Sequence, residues 1–187
     1  MSDAMVPLRE YQPFIDLMTT FKNPILGILA GAIFTAVIQS SSASIGILQA
    51  LAMSGAIQLD SAIYVLFGQN IGTCITSIIA SIGTSRNAKR TTLIHLLFNV
   101  IGTVIFVVLS LVFPFTDYIV ALTPNLVQNQ IANVHTVFNV VTTVLLLPFG
   151  NQIVKLVEKI LPLHDDEEQE MKTLFISDTE PAASASC

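Results

Sequence analysis

The chain is short of charge. Lys, Arg, Asp and Glu make up 11% of its 187 residues, against 52% hydrophobic, where soluble domains run at about 25% charged. The few charges are also segregated. Asp60 is the only one between Pro24 and Ser85, and Asp117 the only one between Thr91 and Val154. With a mean hydropathy of +0.72, these gaps exclude an ordinary soluble domain and point to an integral membrane protein. A basic stripe is missing too, so no nucleic-acid partner is expected. The net charge of −5 belongs to the tail: His164–Cys187 holds Asp165, Asp166, Glu167, Glu168, Glu170, Asp178 and Glu180 against the single base Lys172. That is the pattern of a solvated acidic segment. Cysteine is scarce. Cys74 stands in an apolar segment and Cys187 is the last residue, a pair with no zinc-like spacing and no expected mutual disulfide. The opening MSDAMVPLREYQPF lacks the basic start and apolar core of a signal peptide, so internal apolar segments must drive insertion. Enzyme signatures are absent as well. There is no Gly-x-Ser-x-Gly elbow, no His-Glu-x-x-His and no phosphate-binding Gly-Lys-Ser/Thr loop, and a Ser41–His95 pair would lack a third member. No enzyme is expected.

What the chain has in quantity is apolar segment. A spanning helix needs about 20 apolar residues, and Thr91–Phe113 and Leu126–Phe149 supply them without interruption. Pro24–Ile38 and Ala43–Met53 are too short, and they flank the polar run QSSSAS. Ser61–Gly83 is long enough but is interrupted by GQNIGT at Gly68–Thr73. Short apolar arms around a polar tip predict a re-entrant hairpin, entering the bilayer and leaving on the same side. The alternative is one long helix with a serine patch, because Ser is a weak helix breaker. The expected fold is therefore an all-α integral membrane protein: a re-entrant helical hairpin, a discontinuous transmembrane helix and two further transmembrane helices. Residues 1–23 form a polar or interfacial segment, 24–161 the membrane unit, and 162–187 an acidic, disordered tail. Arg86, Lys89 and Arg90 lie in one short loop, which the positive-inside rule assigns to the cytoplasm. Lys155, Lys159 and the C-terminus then also fall inside a multi-pass protein of the cell (inner or plasma) membrane. Arg9 and Lys22 dissent, since they end up outside. Gln152–Leu161 reads as a short amphipathic helix at the inner interface.

Three polar groupings interrupt the apolar segments. The first is Gln39, Ser40, Ser41, Ser42 and Ser44. A Ser at the start of the arm Ala43–Met53 suits an N-cap, and a helix N-terminus attracts anions through unpaired N–H groups and its dipole. The competing reading is helix packing by small residues. The density of hydroxyls, headed by Gln, favours a ligand site, since buried polar groups need partners. The second grouping is GQNIGTCIT, Gly68–Thr76. Glycines allow a turn, freed carbonyls at a broken helix suit Na⁺, and Thr73 and Thr76 add oxygens. A straight helix with a Gly-x-x-x-Gly contact face is the alternative. The third is a repeated pattern, HLLFN (His95–Asn99) and HTVFN (His135–Asn139). In each, His and Asn share one helix face. Hydrogen bonding between helices is favoured for them over direct ligand contact or a proton relay.

Together TAVIQSSSAS, GQNIGTCITSIIASIG, the basic NAKR loop and HLLFN resemble the type II sodium-dependent phosphate cotransporters, in particular their bacterial branch. The resemblance runs from about Leu26 to Leu161. It implies two inverted repeats, each with a Gln-Ser-Ser-Ser motif, meeting near mid-membrane to bind phosphate with Na⁺. Gln39, Ser40, Ser41 and Ser42 would then be half of the substrate site, with Asn70 and Thr73 beside them. The Na⁺ candidates are Ser42, Ser44, Gln69, Thr73 and Thr76. One Gln-Ser-Ser-Ser motif is present where the family has two, so the chain looks like the second repeat alone: a fragment, a split gene product, or a subunit whose partner carries the other motif. The expected function is sodium-coupled transport of inorganic phosphate across the lipid bilayer, with Na⁺ as coupling ion and no cofactor. The alternatives are a non-transporting membrane interaction or regulatory subunit, or a proton-coupled transporter of another anion.

Overall fold

Asn23 and Pro24 open the first helix. The Asn23 side chain accepts a hydrogen bond from Ile25 N at 3.0 Å, and Pro24 takes the first helical position, where no backbone donor is needed. The computed structural model describes residues 23–124 and 126–162. The polar segment expected over 1–23, Asn23 excepted, and the tail expected over 162–187, Pro162 excepted, lie outside the described residues. In chain order α1 is Pro24–Ile38, α2 Ser41–Met53, α3 Leu59–Gly72, α4 Cys74–Ala80, α5 Arg86–Val112, α6 Phe115–Leu122 and α7 Val127–Leu146. A 3₁₀ turn at Leu147–Phe149 then leads into α8, Gly150–Ile160.

The hairpin forms as the arm lengths predict. At about 1.5 Å per residue, the 15 residues of α1 reach about 22 Å, short of the roughly 30 Å hydrocarbon core. Gln39 ends α1 with a left-handed φ of 56°, its N–H bonded to Thr35 O at 2.7 Å. Ser40 then caps α2, its Oγ accepting from Ala43 N at 3.3 Å. Beyond this tip the chain folds back. Thr35, before the tip, lies against Gly72, while Ser44, after it, accepts through its carbonyl from Gln69 Nε2 at 3.1 Å. The α1–α3 contact pairs Ile28 with Gly68 and Ala32 with Gly72, so these helices run parallel at close range. A Cβ on Gly31 would overlap the Val65 carbonyl oxygen, and one on Gly68 that of Ile28.

Those glycines are taken up by packing, and the interruption expected over Gly68–Thr73 is narrower for that reason. It is confined to Thr73, whose φ of −59° and ψ of −27° stay helical. Thr73 N and Oγ1 both donate to Gln69 O, at 3.0 and 2.9 Å. The path Leu59–Ala80 covers 22 residues, and with Arg86–Val112 and Val127–Ile160 it is long and apolar enough to cross a membrane. From Ser61 to Gly72 α3 is buried except at Tyr64 and Ile71, which makes it the central helix.

Its Phe67 meets Phe106 of α5 and Phe138 of α7, with ring centroids 5.7 and 5.5 Å away, and those two rings lie 5.0 Å apart. Leu48, Ile63, Leu66, Ile131 and Val134 complete this core. Outward-facing side chains are apolar too: Ile25, Leu29, Ile33 and Val37 along α1, Val104, Val108 and Leu111 on α5, and Val140 and Val144 on α7. Such a surface suits lipid and not water. The α5 helix runs antiparallel to α3–α4, as Thr92 Oγ1 donates to Ser77 O and Thr103 Oγ1 to Phe67 O. At its N-terminus Arg86 Nη1 donates to Pro162 O at 2.7 Å and Arg90 Nε to Leu161 O at 2.9 Å. These bonds join the basic turn to the end of α8. At the opposite end Gln49 Nε2 of α2 donates to Gln128 O of α7 at 3.0 Å.

Candidate functional site

The break at the hairpin tip gives α2 a helix N-terminus inside the bundle. Ser44 N bonds back to Ser40 O and Ala43 N to Ser40 Oγ. The N–H groups of Ser41 and Ser42, ahead of them in the first turn, have no partner within the helix. A cavity of about 240 Å³ lies against this end. Ser41 of α2 lines it, with Asn70 of α3, Thr73 of the junction, His95, Phe98 and Asn99 of α5, and His135 and Asn139 of α7. At roughly 30 Å³ per water this is room for a tetrahedral oxyanion with part of its hydration. No Asp, Glu, Lys or Arg is among the lining residues, so the field inside comes from dipoles and neutral hydrogen-bonding groups.

Those groups are ordered by their own helices. The Asn70 Nδ2 group is buried and has no hydrogen-bond partner, an unmet donor beside the helix N-terminus. Asn99 Nδ2 donates to His95 O at 3.0 Å and to Cys74 Sγ at 3.5 Å, and Asn139 Nδ2 donates to His135 O at 2.8 Å. His95 Nδ1 pairs with Ser77 Oγ at 3.3 Å. The arrangement offers donors from the hairpin tip and α3, with imidazoles and amide oxygens on α5 and α7.

Of the substrate candidates, Ser41, Asn70 and Thr73 line the cavity, and Gln39, Ser40 and Ser42 do not. Gln39 and Ser42 are exposed at the tip, where Ser40 Oγ and Ser42 Oγ lie 3.4 Å apart. All four residues of the two His-x-x-x-Asn patterns line the cavity, beyond the packing role favoured for them. The Na⁺ candidates divide. Ser44 Oγ and Gln69 Oε1 are buried without partners, in two residues joined by the bond from Gln69 Nε2 to the Ser44 carbonyl. Thr76 is exposed, its Oγ1 donating to Thr73 O at 3.0 Å. Sequence reasoning missed three residues here. Thr35 Oγ1 is a further buried oxygen without a partner; it follows Gly31 by one turn, a spacing that signals packing more readily than a ligand. Ser77 holds His95 and stands in no pattern that marks it; Phe98 walls the cavity from within the repeated HLLFN pattern, where His and Asn alone were singled out.

The family model described as "Na+/Pi-cotransporter" matches residues 10–159. The uncharacterized protein YqeW of Bacillus subtilis (strain 168) is 40% identical over 139 residues, 72% of this chain and 43% of that protein. "Sodium-dependent phosphate transport protein 2A" of Rattus norvegicus is 38% identical over 60 residues, 32% of this chain and 9% of that protein. "Sodium-dependent phosphate transport protein 2B" of Pongo abelii is 27% identical over 169 residues, 86% of this chain and 24% of that protein. The chain thus spans less than half the length of these curated relatives. No solved structure matches it significantly.

Proposed function

Because the chain belongs to the Na⁺/Pi-cotransporter family, we propose that it carries inorganic phosphate across the membrane together with Na⁺, and that it builds one half of the transport site. The observation that carries this reading is the meeting, at one cavity, of the α2 N-terminus with Asn70, whose buried Nδ2 has no partner. An anion there satisfies the buried donor and lies at the positive end of the helix dipole. The absence of basic residues from the lining fits a site whose neutralising charge arrives with the substrate. A cation close by lowers the cost of placing an anion in a low-dielectric pocket, and the reverse holds equally, which is the physical basis of coupling. Ser44 Oγ, Gln69 Oε1 and Thr35 Oγ1, buried and unpaired, are the neutral oxygens that suit Na⁺.

The exposed Gln39 and Ser42 and the half-buried Ser40 lie outside the cavity lining and leave the tip unfinished. A second repeat with its own Gln-Ser-Ser-Ser motif, in the same polypeptide or in a partner, supplies the other half. The site then works in a cell membrane with the basic turn Arg86–Arg90 and the C-terminus on the cytoplasmic side, by transport and not by catalysis. Sodium-dependent phosphate uptake into vesicles containing the full chain and its native membrane partners tests this. Replacing a donor to a charged group costs about 1.5–3 kcal/mol, so Asn70→Ala should weaken apparent phosphate affinity about ten- to hundredfold, and Ser41→Ala should lower uptake in the same direction. Uptake unchanged in both variants, or uptake indifferent to replacing Na⁺ with choline, overturns the reading. Co-purification with a partner but without phosphate uptake would instead indicate an interaction subunit.

A further inference from the structure

We propose that Asn99 and Asn139 restrict the cavity to oxyanions that still carry a proton, and so separate phosphate from sulfate. The inference rests on the transport reading above and names what selects its substrate. Each asparagine stands one turn after a histidine, one pair on α5 and the other on α7, and all four residues line the cavity. In each pair the amide nitrogen donates to the histidine carbonyl, at 3.0 Å for Asn99 and 2.8 Å for Asn139. Only Nδ2 can donate to a carbonyl, so these bonds fix which end of each amide is spent on its own helix. What remains is Oδ1, a group that accepts and cannot donate. Among the described residues no hydrogen bond reaches either Oδ1.

An acceptor oxygen facing a fully deprotonated anion is both unpaired and repelled, and withdrawal from bulk water makes this costly. Facing hydrogen phosphate, one of the two oxygens accepts the P–OH proton, and dihydrogen phosphate, also populated near neutral pH, satisfies both. Near neutral pH phosphate keeps at least one proton, while sulfate, with the same shape, keeps none. The unprotonated phosphate oxygens meet donors from the other elements, the Ser41 N–H and Asn70 Nδ2. The titratable side chains facing this wall are His95 on α5 and His135 on α7, with the Cys74 thiol behind Asn99; α1, α2 and α3 bring none to it. A neutral imidazole offers one donor and one acceptor, and His95 Nδ1 is already engaged by Ser77 Oγ. The acid-reading oxygens are therefore chiefly those of the two amides. Sites built to bond a substrate hydroxyl reject analogues lacking it by orders of magnitude.

Competition with labelled phosphate uptake, in vesicles containing the full chain and its native membrane partners, tests this. Arsenate shares phosphate's protonation; sulfate and selenate share its shape without the proton. In the wild type arsenate should compete and sulfate and selenate should not. In Asn99→Ala and Asn139→Ala the sulfate concentration that halves uptake should fall at least tenfold relative to that of phosphate, as one hydrogen bond's discrimination is lost. Asn139→Asp keeps an acceptor and should still exclude sulfate. Should the alanine variants fail to reach the membrane, Asn139→Leu carries the test, because it keeps the side chain's shape, removes the acceptor oxygen, and should let sulfate compete. Phosphate uptake with sulfate exclusion unchanged in Asn99→Ala and Asn139→Ala, or in Asn139→Leu, overturns this proposal and leaves the transport reading standing. No sodium-dependent phosphate uptake by the wild type overturns both.

Discussion

Gly68 and Gly46 are both helical glycines, and their surroundings set opposite expectations for adding one carbon. A Cβ at Gly68 runs into the Ile28 backbone, whereas at Gly46 nothing lies within 4 Å. Gly68→Ala therefore forces α1 away from α3, and overpacking of this kind costs about 1–3 kcal/mol. Gly46→Ala relieves a glycine inside a helix and should gain about 0.5–1 kcal/mol. Thermal denaturation of the two variants in detergent checks the pair: equal melting temperatures would mean that α1 and α3 do not touch as described. A second contrast separates two buried hydroxyls. Thr142 Oγ1 is unpartnered beside Gly102 and is not among the residues that line the cavity, so Thr142→Val should be neutral or stabilising by about 1 kcal/mol. Ser44 Oγ is unpartnered in a residue whose carbonyl accepts from Gln69 Nε2, and Ser44→Ala should weaken the dependence of uptake on Na⁺. A steep sodium dependence kept intact in Ser44→Ala would remove Ser44 from the ion site. At this scale the sequence was partly legible. The serine run announces a site, but a helix turns about 100° per residue, so adjacent hydroxyls cannot all face one cavity. Which of Ser40, Ser41 and Ser42 does so depends on where α2 begins, and one residue of shift changes the answer.

The hairpin tip concentrates strain in one residue. Gln39 holds a φ of 56°, a conformation that costs a side-chain-bearing residue about 1–2 kcal/mol and glycine much less. Strain of this kind persists where the side chain has a task. Gln39→Gly should raise the melting temperature, in line with about 1 kcal/mol, while lowering phosphate uptake. A variant that gains stability and keeps full uptake would show that the glutamine amide has no part in transport. Arm lengths made the hairpin legible, because neither α1 nor α2 can cross a bilayer alone. The α3–α4 junction was harder to read. Gly68 and Gly72 looked like the makings of a broad break, but glycine serves close packing as readily as it serves a turn. Only the presence of α1 against that face decides between the two.

For the whole molecule, the hardest feature to foresee was convergence. His95–Asn99 and His135–Asn139 each declare a single polar helix face, yet sequence does not say that both faces turn toward Ser41 and Asn70; that follows from the Phe67–Phe106–Phe138 packing that sets the rotation of α3, α5 and α7. Charge predicts which end faces the cytoplasm. Arg86, Lys89 and Arg90 share one end with α8 through the Arg86–Pro162 and Arg90–Leu161 bonds, and α1 begins and α2 finishes at the other. Basic residues resist translocation, so on the proposed orientation the end with Lys89 should be cytoplasmic, and both Asn23 and Gln58 should face the opposite compartment. Single cysteines at these three exposed positions, in a Cys187→Ser background where Cys74 remains buried, should react with a membrane-impermeant maleimide accordingly. Asn23→Cys and Gln58→Cys should label in intact cells or right-side-out vesicles, and Lys89→Cys only in inside-out ones. Labelling of Asn23 and Gln58 from opposite sides would mean that the segment between them crosses the bilayer. The serine tip would then lie along a spanning rod, with no helix N-terminus left to hold an anion.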